Sequence, residues 1–127
     1  MFKLNKARTV FCDVDDTIIL WDISKYESIT EEHIDLGDKD LYFPVIPHRK
    51  NIALLTKLKL QGCGIVVWSA AGVDWAEKVV TKLNLTDIVD VVVSKPEIAI
   101  DDLLQADRII KSIIWIDPVS GEMKRNG

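Results

Sequence analysis

Cysteine, proline and glycine are scarce in this chain: 2, 4 and 6 of 127 residues. That composition excludes a disulfide-stapled scaffold, a collagen-like repeat and a low-complexity linker. Cys12 and Cys63 each sit inside an apolar segment, which predicts buried free thiols and a reducing, cytoplasmic setting. Long hydrophobic runs are also missing, and none approaches the roughly 20 residues needed to cross a bilayer. The first eight residues, Met1 to Arg8, carry positive charge without the apolar stretch and cleavage site of a signal peptide. Basic residues are outnumbered 16 to 20, for a formal charge of −4. This argues against a protein that grips nucleic acid by bulk electrostatics. What remains is a chain 48% hydrophobic and 28% charged, the balance of a single globular domain with one core.

Residues Val10 to Ile18 read Val-Phe-Cys-Asp-Val-Asp-Asp-Thr-Ile. A short apolar run, read as a buried strand, ends in Asp13, Asp15 and Asp16, three carboxylates within four positions. Like charges this close repel, more so when half-buried. A hard divalent cation with oxygen ligands is the common remedy; an acidic turn capping the strand is the plainer alternative.

From Val10 onward, short β-branched runs alternate with helical patterns. Strands are predicted at Thr9–Cys12, Ile65–Trp68, Val89–Val93, Ile98–Ile100 and Ile113–Ile116, nearly all apolar as in a parallel sheet covered on both faces. Helices are predicted from about His48 to Gln61, with Ile52, Leu55 and Leu58 on one side, and from Val73 to Leu83, where Ala76, Val79, Val80 and Leu83 recur with helical period. A shorter helix follows from Asp102 to Ile109. The order predicts an α/β fold, an open parallel sheet of about five strands in three layers, with helices on both faces. Trp68, Trp75 and Trp115 are assigned to packing, since an indole buries a large area.

Ligands of such sheets bind beyond the carboxyl ends of the strands. Those ends carry Asp13 and Asp15; Ser69, followed by Ala70; Lys95 after the third run; and Asp101 with Asp102 after the fourth. The set suits phosphoryl transfer. Asp13 is the candidate nucleophile, and Asp15 the acid for the leaving oxygen and then the base for water. Lys95, the Ser69 hydroxyl and the Ala70 amide are candidates to hold the phosphoryl oxygens. Asp101 and Asp102 would complete a Mg²⁺ site with Asp13 and the Asp15 carbonyl, easing repulsion between carboxylate and phosphate.

The order Asp13-Val14-Asp15-Asp16-Thr17, then Ser69, then Lys95, then Asp101-Asp102 resembles the four motifs of the haloacid dehalogenase superfamily, over about residues 8 to 117. The resemblance implies a Rossmann-like sheet with the Asp13 strand central. It also implies a Mg²⁺-dependent phosphohydrolase that cleaves a phosphomonoester through an aspartyl-phosphate on Asp13, with Asp15 as general acid/base. Thr17 would brace the loop, or simply cap a turn. Asp101 is the preferred metal ligand; Asp102 either binds metal through water or caps the following helix. Only five residues separate Lys95 from Asp101, so Lys95 has to enter from the loop before the fourth strand.

Residues 18–47 stand where relatives of that family insert a cap, yet they are too few for an independent domain. They are read as a flap, with Ile18–Trp21 pairing Leu41–Phe43 and a tip made acidic by Glu27, Glu31, Glu32, Asp35, Asp38 and Asp40. Trp21, Tyr42 and Phe43 either touch substrate or pack the flap; His33 and His48 read as surface or capping residues. A site so lightly covered favours a phosphorylated protein, a nucleic-acid end or a large metabolite, or a lid supplied by a second subunit of a homo-oligomer. Two other functions compete: a phosphoacceptor domain like a response-regulator receiver, and a catalytically idle binding module on the same fold.

Overall fold

A computed structural model of the protein describes residues 8–21, 33–37, 43–102, 113–116 and 123–126. The chain divides into two compact units, residues 1–95 and 96–127.

The first unit is an α/β fold built on a three-stranded parallel sheet. Strand β1 (Thr9–Cys12) is followed by two short strands, β2 (Ile19–Leu20) and β3 (Ile34–Asp35), then β4 (Pro44–Pro47). Helix α1 (Arg49–Leu60), strand β5 (Gly64–Ser69), helix α2 (Val73–Lys82) and strand β6 (Val91–Ser94) complete it. β1 pairs with β5 in register Val10 with Ile65, and β5 pairs with β6 in register Val67 with Val92; both pairings are parallel. Parallel strands joined through a helix give the order β1-β5-β6, as parallel pairing requires a crossover connection.

Side-chain alternation sorts this sheet into two faces. Ile65 and Val67 point into a core shared with Ile52 and Leu55 of α1 and Ala76, Val79 and Val80 of α2, with Val10, Cys12 and Val92 packed against it. The opposite face carries Phe11, Val66, Trp68 and Val91. Phe11 and Trp68 meet there with ring centroids 4.6 Å apart, and Phe11 is 47% exposed. In the first unit, then, both helices lie on one face. Among the described residues the sheet has three strands, with β1 at its edge.

Both helices start and end close to the expected positions. His48 caps α1: its Nδ1 accepts the Asn51 amide at 3.2 Å. Beyond the helix, Gly62 takes φ +93° and turns the chain into β5; a side chain there would be strained. Asp90 ties the opposite end of the sheet together, accepting from Lys59 Nζ at 2.6 Å and from the Ile65 amide at 2.7 Å. These bonds hold its carboxyl below the ordinary carboxylate range, the Lys59 bond contributing most.

Burial pushes the His48 imidazole below its usual 6.5, and neighbouring Lys50 adds to the effect. The folded state thus holds fewer protons here than the unfolded state. Stability from this group is present above about pH 6.5 and is lost as pH falls from there through the lower native value. His48→Ala should cost roughly 0.5–2 kcal/mol, the worth of a helix cap. It should also flatten that acid-side loss in urea titrations run at several pH values; an unchanged pH slope would rule His48 out as its source.

The predicted flap is a three-stranded antiparallel sheet of order β2-β4-β3, not a two-stranded pair. Ile19 and Leu20 pair with Pro47 and Ile46, while Ile34 and Asp35 pair with Val45 and Pro44. The partner of Ile18–Trp21 is therefore β4; residues 41 and 42 lie outside the described residues, as do Glu27, Glu31, Glu32, Asp38 and Asp40. Proline has no N–H for a ladder, and the two prolines occupy the ends of β4, each paired on one side only. Asp35 Oδ1 accepts the amides of Gly37 and Phe43 at 2.8 and 2.9 Å, and those bonds lower its pKa. Ile18, Ile19, Leu36 and Val45 belong to the same core as the parallel sheet, so this insertion is packed onto the unit rather than hung from it.

In the second unit, β7 (Ile113–Ile116) forms at the expected residues. It pairs antiparallel with β8 (Met123–Asn126), a strand the sequence did not indicate. Ile98–Ile100 has no regular structure, against expectation, with Ile98 84% and Ile100 99% exposed. Three residues following Pro96 have no ladder partner among the described residues, and an unpaired apolar run gains nothing from extended backbone. The helix expected from Asp102 to Ile109 lies outside the described residues apart from its first position. No helix among the described residues is long and apolar enough to cross a membrane.

Candidate active site

The carboxyl ends of β1, β5 and β6 lie side by side, so the residues just past them are neighbours. Between β1 and β2 the chain makes a tight turn. The Val14 carbonyl accepts the amides of Thr17, Ile18 and Ile19 at 3.1, 3.0 and 3.4 Å, and Asp16 adopts φ +58°, a conformation Asp tolerates better than most residues. Val14 and Ile18 point inward and are fully buried, which leaves Asp13, Asp15 and Thr17 on the open side. Asn51 latches the turn from α1: it is 3% exposed and its Nδ2 donates to the Thr17 carbonyl at 2.6 Å.

Asp13 stands at the centre. Lys95 Nζ lies 3.1 Å from its Oδ1, both side chains 37% exposed, and the Thr17 hydroxyl donates to its Oδ2 at 3.3 Å. The Thr17 hydroxyl, expected to brace the loop or cap a turn, thus contacts the carboxylate directly. Lys95 arrives from the residue after β6, and its amide donates to the Ser69 carbonyl at 2.9 Å. This bond continues the β5–β6 ladder and sets the lysine beside β1. Ser69 is fully buried, and its Oγ accepts the Ala71 amide at 3.0 Å. That is the strand-end cap, made by a side chain with no exposed surface. Ala70 is exposed on the same turn.

The Cys12 thiol donates to the Asp13 carbonyl at 3.3 Å. Burial, reinforced by the Asp13 carboxylate, pushes it up to about 12 against an opposing pull from Lys95. A thiol so shifted stays protonated near neutral pH and is a poor nucleophile.

Asp15 has a different environment. Its Oδ1 accepts two indole N–H groups, from Trp21 at 2.8 Å and from Trp75 at 3.2 Å. The two indoles stack with centroids 5.7 Å apart and 19° between planes, and Phe43 meets Trp21 edge-on at 6.1 Å. Trp75, assigned by sequence to packing, therefore also bonds a candidate catalytic residue. The signal was its place: the first turn of the helix that follows Ser69 faces the carboxyl edge of the sheet, where ligands bind. Asp16 Oδ1 accepts the Trp21 amide at 3.4 Å.

Asp13, Asp15, Thr17, Ser69, Ala70 and Lys95 all belong to the first unit, and within it Asp13, Thr17 and Lys95 are in direct contact. Asp101 and Asp102 belong to the second unit and are exposed. Among the described residues no three His, Cys, Asp or Glu side chains form a metal-holding group. The Asp13 carboxylate that the first unit sets at this edge is a hard oxygen donor of the kind magnesium takes, one or two at a time beside water and phosphate. Compared with family models, with curated proteins and with solved structures, the chain matches none.

Proposed function

We propose that the chain is a phosphohydrolase that cleaves a phosphomonoester through an aspartyl-phosphate on Asp13, as its resemblance to the haloacid dehalogenase superfamily implies. The single observation that carries this is the ion pair between Lys95 and Asp13, residues 82 apart in sequence that meet at 3.1 Å on the carboxyl edge of a parallel sheet. An exposed ion pair contributes only about 0–1 kcal/mol to stability, so fold maintenance alone is a weak reason for it. A cation beside a nucleophile and an incoming phosphoryl group is a strong one.

Asp13 forms a bond to phosphorus as the bond to the ester oxygen breaks, and Asp15 delivers a proton to the departing alcohol. Water then attacks phosphorus, Asp15 takes its proton, and the acyl-phosphate bond breaks to release inorganic phosphate and the free Asp13 carboxylate. Lys95 and the Ser69 hydroxyl, with the Ala70 amide, hold the phosphoryl oxygens. Magnesium bound by Asp13 and the Asp15 carbonyl would offset the repulsion between a carboxylate and a phosphate dianion. The family resemblance implies Asp101 and Asp102 as further ligands. The finer fold belongs to the same proposal: a Rossmann-like open parallel sheet of about five strands in three layers. So does a cytoplasmic setting, which the free thiols of Cys12 and Cys63 support. So too does an incompletely covered site that takes a bulky phosphorylated substrate or completes its lid in a homo-oligomer.

Turnover of p-nitrophenyl phosphate with and without Mg²⁺ is the direct test. Wild type should turn over only with the metal. Asp13→Asn and Asp15→Asn should each abolish it, and Asp101→Asn should raise the magnesium concentration required. A stable stoichiometric phosphoprotein without turnover would instead identify a receiver-like phosphoacceptor. Inertness toward every phosphate ester would leave a binding module.

A further inference from the structure

We propose that Trp21 and Trp75 are positioning residues that fix which oxygen of Asp15 carries the proton. Both indole N–H groups converge on Oδ1, at 2.8 and 3.2 Å. An oxygen that accepts two N–H donors has no room for a proton of its own, so the proton handed to a leaving group sits on Oδ2. Among the described residues no hydrogen bond engages Oδ2.

Burial does not force this arrangement. Trp21 is 36% exposed, and an indole N–H at such a site is satisfied by water without loss. The convergence also draws on separate parts of the unit. Trp21 follows β2 in the flap, whereas Trp75 lies 60 residues from Asp15 in the first turn of α2. Stacking holds each ring against the other, and Phe43, just before β4, supports the outer one edge-on. The carboxyl group is thereby held in one rotamer from two sides. A general acid displaced by about 1 Å loses on the order of 100-fold in rate.

The assignment rests on Asp15 acting as general acid, so its test separates the two. The value of kcat/KM covers only the steps up to departure of the alcohol, and it is compared for phenyl phosphate and p-nitrophenyl phosphate. Phenoxide, whose conjugate acid has a pKa near ~10, needs a proton as it leaves; nitrophenoxide is a far more stable anion and needs it much less. Phenylalanine keeps an aromatic ring in the stack but deletes the indole N–H together with its five-membered ring, so the ratio of the two substrates, rather than either rate alone, is the readout. The Trp21→Phe, Trp75→Phe double variant should lower the phenyl-to-nitrophenyl ratio of kcat/KM about tenfold, a fraction of the full worth of a general acid, with each single variant intermediate. An equal fall for both substrates, or an unchanged ratio, overturns the assignment of the indoles while leaving the phosphohydrolase reading intact. Asp15→Asn is expected to show no turnover of either substrate; if it retains turnover with an unchanged ratio, Asp15 is not the acid and both ideas fall. Circular dichroism identifies any variant that does not fold; if Trp75→Phe is lost in this way, the exposed Trp21→Phe alone decides, by an approximately threefold drop in the ratio or none.

Discussion

Lys95→Met should lower turnover of a phosphomonoester by about 10²–10³-fold, the usual consequence of removing one preorganised charge from the transferring group. The same change should move the denaturation midpoint very little, because the ion pair with Asp13 is more than a third exposed and such pairs contribute about 0–1 kcal/mol. The contrast makes the experiment decisive. A lysine that served only to satisfy Asp13 would show small effects in both measurements. A lysine that neutralises both the nucleophile and the phosphate would show a large effect in one. Methionine keeps most of the aliphatic stem, so loss of packing does not confuse the result. Retention of wild-type kcat with Lys95→Met would sink the phosphoryl-transfer reading more directly than any other single result.

Ile65→Ala should destabilise the protein by about 2–5 kcal/mol, measured by urea unfolding. Ile65 is fully buried on the middle strand, in the core that both helices share. It pairs through the backbone with Val10, and its amide and carbonyl bind Asp90 on the other side. Those bonds hold the Ile65 backbone in place, so the strand itself does not shift to fill the vacated volume and a cavity term adds to the lost burial. Phe11→Ala, on the face where Phe11 is 47% exposed, should cost much less, because it removes an edge contact with Trp68 rather than core volume. If the two substitutions proved equally costly, the single-faced core described for the first unit would be wrong.

The two β-α-β crossovers were legible in the sequence because each helix announces its buried stripe with period 3.6 and each strand is a short apolar run. Ile52, Leu55, Ala76, Val79 and Val80 all enter the predicted core. Strand β4 was hidden by its two prolines; only the pairing shows that they stand at its ends, where the missing N–H groups cost nothing. Strand β8 was hidden for another reason. Met-Lys-Arg-Asn has no apolar alternation, and it becomes a strand because β7 offers it a ladder. Ile98–Ile100 shows the converse: β-branched residues without a partner remain irregular.

By itself the chain order determined the chemical inventory: carboxylates after one apolar run, a serine after the next, a lysine after the third. It also determined that a parallel arrangement would bring them to one edge, since strand direction follows from helical connections of that length. Only the tertiary structure decided who touches whom. Register put Lys95 on Asp13 through the Ser69 carbonyl, and the turn around Val14 aimed Thr17 at the same carboxylate. Trp75, read from the sequence as packing, and Trp21, read as touching substrate or packing the flap, turned their N–H groups onto Asp15. Periodicity reports which face of an element is buried, but a hydrogen bond between residues 60 positions apart depends on distances that exist only once the elements have packed.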